Sequence, residues 1–93
     1  MRRWSFITNH GLVLATIAGN PDSTARAIGD TVGITERAVH RIIADLEDAG
    51  YITKGKSGRR NAYSIHADIP LNEIFGQKAA TRDLLKMLGL KAG

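Results

Sequence analysis

The sequence predicts an α+β domain that is mostly helical: three helices, a two-stranded β-hairpin and a C-terminal helix. Two observations support this order. Up to Gly50, apolar residues recur at the spacing of amphipathic helices. Beyond Gly50, two β-prone segments flank a glycine-bearing turn. The 93 residues suffice for one small core, so we expect a single domain over residues 1–93.

Three helices are expected before Gly50, over about Asn9–Ala18, Ala25–Val32 and Glu36–Ala49. Small polar residues that can cap a helix precede each one: Thr8 or Asn9, then Ser23 or Thr24, then Thr35. Gly19 and Gly50 follow the first and third helices as stop signals. The third helix has an apolar stripe that we expect to be buried, made of Val39, Ile42, Ile43, Leu46 and Ala49.

The second half of the chain predicts a hairpin and a last helix. Residues 51–53 and 62–65 are β-prone, and Gly55–Gly58 between them is expected to form the turn. Pro70 ends the second strand. A short helix is expected over Leu71–Phe75, and the last helix over about Lys78–Leu88.

The second and third helices fit the pattern of a helix-turn-helix unit over about residues 24–50. In a window that starts at Ala25, the fifth place needs a small residue where the helices cross, and Gly29 supplies it. The ninth place needs a residue that tolerates positive φ, and Gly33 supplies that. The five places that such helices bury are all apolar: Ile28, Val32, Ile34, Val39 and Ile42.

The formal net charge of +4 is confined to the hairpin. Between Tyr51 and His66 every charged residue is basic: Lys54, Lys56, Arg59 and Arg60. Apart from these four, basic and acidic residues are equal in number, so the hairpin is expected to bind anions. A helix-turn-helix followed by a basic hairpin is a winged helix, with a wing over about 51–66 and a C-terminal helical extension over about 70–90.

These features predict a sequence-specific regulator of transcription that binds double-stranded DNA. The outward positions of the third helix would read base edges in the major groove: Thr35, Glu36, Arg37, His40 and Arg41. For Glu36 we place a favourable interaction with the positive helix N-terminus before contact with cytosine or orientation of Arg37. The hairpin would contact the sugar-phosphate backbone through Lys54, Lys56, Ser57, Arg59, Arg60 and Asn61.

The segment GITERAVHRIIADLEDAGYITKGKSGRRNAYSI resembles the DNA-binding core of MarR-like winged-helix regulators. The flanking stretches WSFITNHGLVL and HADIPL resemble small single-domain members of that superfamily. The resemblance implies a homodimer, with the third helix in the major groove and the wing on the backbone. The long flanking helices of larger MarR proteins have no counterpart here. A small-molecule effector is possible, in a cleft between the first and C-terminal helices, but no residue marks it.

Apolar residues outside the winged-helix core are the candidates for the dimer interface, because aromatic residues are enriched at interfaces. They are Trp4, Phe6, Leu84, Leu85 and Leu88.

Other classes of function have less support. A winged helix that binds protein instead of DNA is the main alternative, and the retained basic residues argue against it. RNA binding ranks lower, because a helix does not fit the narrow A-form major groove. No paired nucleophile, acid and base indicates an enzyme, and no cofactor is expected.

The sequence also argues against metal binding and against export. There is no Cys, and His10, His40 and His66 are widely spaced, although His10 and His66 remain candidates to meet in space. The first 19 residues loosely resemble a signal peptide, but Thr16 interrupts the apolar run, so a core helix and a cytoplasmic location are expected.

Overall fold

The computed structural model describes residues 7–57, 60–70 and 80–90. The described elements confirm the mostly helical α+β class, and they follow the order α1 (Asn9–Gly19), α2 (Ala25–Val32), α3 (Glu36–Asp48), β1 (Ile52–Ser57), β2 (Arg60–Ile65) and α4 (Thr81–Met87). The first three helices begin where the sequence predicts and end within one residue of the expected positions. No helix in the described ranges is long and apolar enough to cross a membrane.

Threonine side chains cap the first three helices. The hydroxyl oxygens of Thr8, Thr24 and Thr35 each accept a hydrogen bond from the backbone N–H three residues later, at 3.2, 3.1 and 3.1 Å. Thr8 and Thr24 are therefore the caps, in preference to Asn9 and Ser23. Each bond satisfies an N–H group that has no partner within its helix.

The core lies where α1, α2 and α3 meet, and the base of the hairpin closes it. Its main side chains are Val13, Leu14, Ile17, Ile28, Val32, Val39, Ile42, Ile43, Leu46, Ile52 and Tyr63. Ile34 is only partly buried against this cluster. Ala49, which we expected in the buried stripe, is exposed. The reason is that α3 ends at Asp48 and Ala49 is its C-cap, beyond the last buried turn.

Two glycines shape the connection between α2 and α3. Gly33 is the left-handed C-cap of α2, with φ of 86°, a conformation that side-chain-bearing residues rarely adopt. Gly29 is buried at the crossing of the two helices, and a Cβ there would lie 2.7 Å from the carbonyl oxygen of Ile34. Both glycine positions of the predicted helix-turn-helix pattern thus have a structural cause.

The hairpin is longer than the sequence predicts. Gly55, expected in the turn, lies within β1 opposite Ala62, and the antiparallel register extends to Ser57 opposite Arg60. The prediction of a Gly55–Gly58 turn was therefore wrong. A strand tolerates a single glycine at a cost in stability. The paired residues before and after Gly55 keep it in the ladder. Gly58 and Arg59, between the strands, lie outside the described residues.

Helix α4 is fastened to the turn that follows β2. The backbone N–H and the hydroxyl of Thr81 both donate to the carbonyl oxygen of Ile69, at 2.9 Å each. The guanidinium of Arg82 donates to Asp68 at 2.6 Å. The helix starts later than Lys78, where we expected it, and the expected short helix over Leu71–Phe75 lies outside the described residues.

Replacing Gly29 by alanine should destabilise the domain, because the new methyl group would meet a backbone oxygen that cannot turn away. We expect the overpacking cost to exceed the gain in helix propensity, for a net loss of about 1–2 kcal/mol. Thermal unfolding followed by circular dichroism should then show a Tm lower by at least about 4 °C.

Gly55→Ala is the matched control, because a Cβ at Gly55 meets only an ordinary contact of 3.8 Å. A Gly29→Ala variant as stable as the wild type would contradict the close crossing of α2 and α3.

Candidate nucleic-acid interface

The polar face of α3 carries two unengaged arginines. Successive residues of a helix turn by about 100°, which places Arg37 and Arg41 together on the side opposite the buried Val39 and Leu46. Both side chains are exposed. Within the part of the chain that the structure describes, neither guanidinium has a hydrogen bond or an ion pair. They are therefore available to an external acceptor.

The acidic residue at the start of α3 lies near a histidine of the same helix. Glu36 lies in the first turn, where its charge favours the positive helix end. Its carboxylate is 3.7 Å from the Nε2 of His40, one turn later. Of the roles considered for Glu36, orientation of Arg37 is thus not what the structure shows. Thr35 serves as the N-cap, and its hydroxyl proton remains to be donated elsewhere.

The acidic end of α3 is held by α1. The Nε2 atom of His10, at the start of α1, is 2.8 Å from a carboxylate oxygen of Asp45. This contact links α3 to α1 and partly satisfies one of the three acidic side chains at that end. Asp48 is exposed and Glu47 is half-buried.

Each histidine has a different partner among the described residues. His66 is engaged with the hydroxyl of Thr53 at 2.5 Å, whereas His10 is engaged with Asp45. The sequence left open that His10 and His66 meet, and the structure gives them different partners. The described ranges contain no group of three His, Asp or Glu side chains that could hold a metal ion.

A backbone hydrogen bond fixes the base of the hairpin to the loop between α1 and α2. The N–H of Tyr63 donates to the carbonyl oxygen of Pro21, in the loop between α1 and α2, at 3.0 Å. At this anchor, the exposed Lys54 lies opposite Tyr63 in the register. Lys56 pairs with Asn61, and Ser57 with Arg60, toward the tip. The register thus brings five of the six predicted wing residues onto one ribbon; Arg59 lies outside the described residues.

A cleft of about 350 Å³ opens between α1, the end of α3 and α4. It lies between the first and C-terminal helices, where the sequence analysis placed an effector. Its lining is mostly apolar, and its rim includes the pair of His10 and Asp45 described above. Among the lining residues are Leu14, Leu46, Tyr51 and Leu84.

The side chains expected at a dimer interface differ in their exposure to solvent. Leu85 is fully buried within the chain and offers no surface to a partner, because α4 packs with this side inward. Leu84 is half-buried and Leu88 is 37% exposed. Met87, which the sequence analysis passed over, is 72% exposed, and its spacing of three from Leu84 was the available signal. Trp4 and Phe6 lie outside the described residues.

A comparison with models of known protein families gave a match. The sequence model of the MarR family matches residues 6–60, more than half of the chain. No curated protein sequence gives a significant match.

Two solved structures have a similar fold, each with a TM-score of 0.59. One is the MarR family protein Rv2887 of Mycobacterium tuberculosis in complex with salicylic acid, which is 19% identical, with 87% of this chain and 53% of that one covered. The other is MepR, a transcription regulator of the Staphylococcus aureus multidrug efflux pump MepA, which is 16% identical, with 90% and 56% covered. The chain thus spans about half the length of either protein.

At these identities the two structures support the fold alone, and the winged-helix architecture predicted from the sequence is confirmed. The match of the family model carries the assignment itself. The chain belongs to the MarR family, whose members are transcription regulators and not enzymes.

Proposed function

We propose that the protein regulates transcription by binding double-stranded DNA in a sequence-specific manner, with α3 in the major groove and the hairpin on the sugar-phosphate backbone. The observation that carries this proposal is the pair of exposed, unengaged arginines on the outer face of α3, beside a hairpin that holds all the excess positive charge. The major groove is wide enough for a helix, and arginine can bind guanine O6 and N7 together.

The distribution of charge along α3 favours entry by its N-terminal half. Arg37 and Arg41 lie in that half, while the acidic residues lie near the other end. Thr35 and His40 flank the arginines and are suited to contact base edges or phosphates. Asp45 is engaged by His10 on the side of α1. A helix with this polarity is attracted to DNA at its start and repelled at its end.

The hairpin supplies the second contact. Lys54 and the residues toward the tip, Lys56, Ser57, Arg59, Arg60 and Asn61, are all able to donate hydrogen bonds to phosphate oxygens. Three residue pairs lie beyond the pair of Lys54 and Tyr63 at the base, so at about 3.4 Å per residue the ribbon extends roughly 10 Å beyond it. Such contacts make affinity fall steeply with salt.

A homodimer would place two copies of α3 on successive half-sites about 34–36 Å apart, one turn of the duplex. The exposed side chains of Met87 and Leu88, with Leu84, support a contact through α4. Trp4 and Phe6 remain proposed contributors, while the burial of Leu85 removes it from the surface.

A small-molecule effector has support from two observations. The cleft beside α1 and α4 has a volume of about 350 Å³, within the usual range of roughly 300–1,000 Å³ for ligand sites. One protein of similar fold was solved with salicylic acid. We place the effector in this cleft, and its identity stays open.

Removing charge from the hairpin tip should reduce the salt dependence of binding. For Arg59→Ala/Arg60→Ala, the slope of log K against log salt for a random duplex should become less steep by about 1.8, since each lost phosphate contact contributes about 0.9. Fluorescence anisotropy at several salt concentrations measures the slope. Lys86→Ala, which removes an exposed charge on α4, should leave it unchanged. An unaltered slope in the double variant would remove the hairpin from the interface.

Removing either arginine of α3 should reduce discrimination between DNA sequences. Arg37→Ala or Arg41→Ala should weaken binding to a duplex selected by the wild type by about 1–3 kcal/mol, the contribution of a bidentate contact to guanine. Binding to random duplex should change less. If the wild type binds no duplex even at low salt, the proposal fails and the protein-binding winged helix becomes the better explanation.

Introducing negative charge on α4 should dissociate the proposed homodimer into monomers. Sedimentation at high micromolar concentration is expected to show a dimer for the wild type, and Met87→Glu/Leu88→Glu should shift it to the monomer because two carboxylates would lose water at the contact. Lys86→Glu serves as the control on the same helix. A wild-type protein that sediments as a single monomeric species would rule out the dimer.

A further inference from the structure

One exposed residue on the outer face of α3 has no charge and no hydrogen-bonding group. At about 100° per residue, Arg37, Arg41, Ala44 and Asp48 share the side of the helix opposite the core. Ala44 is exposed, although it follows directly on the buried Ile43. The sequence alone gives no reason to single out Ala44, because alanine is common in helices for its high helix propensity.

The surroundings of Ala44 favour a close approach of DNA. Two acidic side chains beside this row have partners of their own: Glu36 lies near His40 at 3.7 Å, and Asp45 contacts His10 at 2.8 Å. A side chain of one carbon lets the helix backbone come near the floor of a groove. In the major groove, the apolar group available to such a methyl is the C5-methyl of thymine.

We propose that Ala44 is a specificity-determining residue that contacts the C5-methyl group of a thymine, next to the guanines bound by Arg37 and Arg41. This inference rests on the proposed DNA-binding function and names the base pairs that α3 reads. Arg37 and Ala44 are seven residues apart, or about 10.5 Å at a rise of 1.5 Å per residue. That distance spans roughly three base-pair steps of 3.4 Å. The preferred half-site therefore holds guanine and thymine within about four consecutive base pairs.

Asp48 sets the limit of this readout. It lies on the same row, one turn beyond Ala44, and is exposed. A carboxylate placed deeper along the groove would face phosphates of like charge, so α3 has to leave the groove before this residue. Ala44 is then the last side chain of the row that contacts a base.

The test uses the full chain and a duplex that it selects from a random library. In that duplex, each thymine of the half-site is replaced in turn by uracil, which lacks only the C5-methyl group. We expect one replacement to weaken binding by about fourfold, the effect of one buried methyl-sized group. Replacing guanines by 7-deazaguanine, which lacks the N7 acceptor, should weaken binding at neighbouring positions.

The deciding variant is Ala44→Gly, which removes the methyl group from the protein. Its affinity ratio for thymine over uracil at the sensitive position should fall from about four to about one. Ala27→Gly is the matched control, since Ala27 is an exposed alanine within α2. It bears the same loss of helix propensity and should keep the ratio at about four.

The outcomes separate this inference from the proposed function. Selective binding without sensitivity to uracil, or an Ala44→Gly variant that keeps the full ratio, overturns the role of Ala44 while leaving DNA binding intact. A wild-type chain that binds no duplex at low salt overturns both. A ratio lost in Ala44→Gly and kept in Ala27→Gly supports the contact.

Discussion

The close approach of α2 and α3 at Gly29 is the constraint on which the other features of the structure depend. A Cβ at this position would lie 2.7 Å from a backbone oxygen, so only glycine lets the helices cross at this distance. The left-handed Gly33 then turns the chain within the few residues available. With the crossing fixed, the stripe containing Val39 and Leu46 faces the core, and Arg37 and Arg41 necessarily face solvent. The orientation of the candidate interface thus follows from one steric requirement.

Local sequence predicted the helical half of the fold well, because its signals act over a few residues. Threonine caps, glycine stops and apolar spacing all report on neighbours within one or two turns. The hairpin was less predictable. Gly55 carries the same signal in a turn and in a strand, and only pairing with Ala62 decides between them. The same limit applies to Leu85, whose burial depends on α4 being fastened to Ile69 and Asp68.

The candidate site, too, could be predicted from the sequence only in part. The residue types of the interface were evident from the charge pattern, since an excess confined to one segment needs no tertiary information. The partner of Asp45 was not evident, because His10 contacts it from another helix and the contact depends on packing. The proximity of Glu36 to His40, in contrast, follows from their spacing of four residues on one helix. Ala44 was overlooked because its significance lies in its position on a face and not in its chemistry.

The hairpin is held at its base by the bond between the N–H of Tyr63 and the carbonyl oxygen of Pro21, and by the burial of Ile52 and Tyr63 in the core. Its geometry is therefore insensitive to which residues occupy the tip. Under the proposed function, direction and affinity are separable properties of this ribbon: the base sets where it points, and the charge of the tip would set how strongly it binds a polyanion. Substitutions at the tip would then change affinity while the ribbon continues to point the same way. This makes the tip a natural place to engineer binding strength without redesigning the domain.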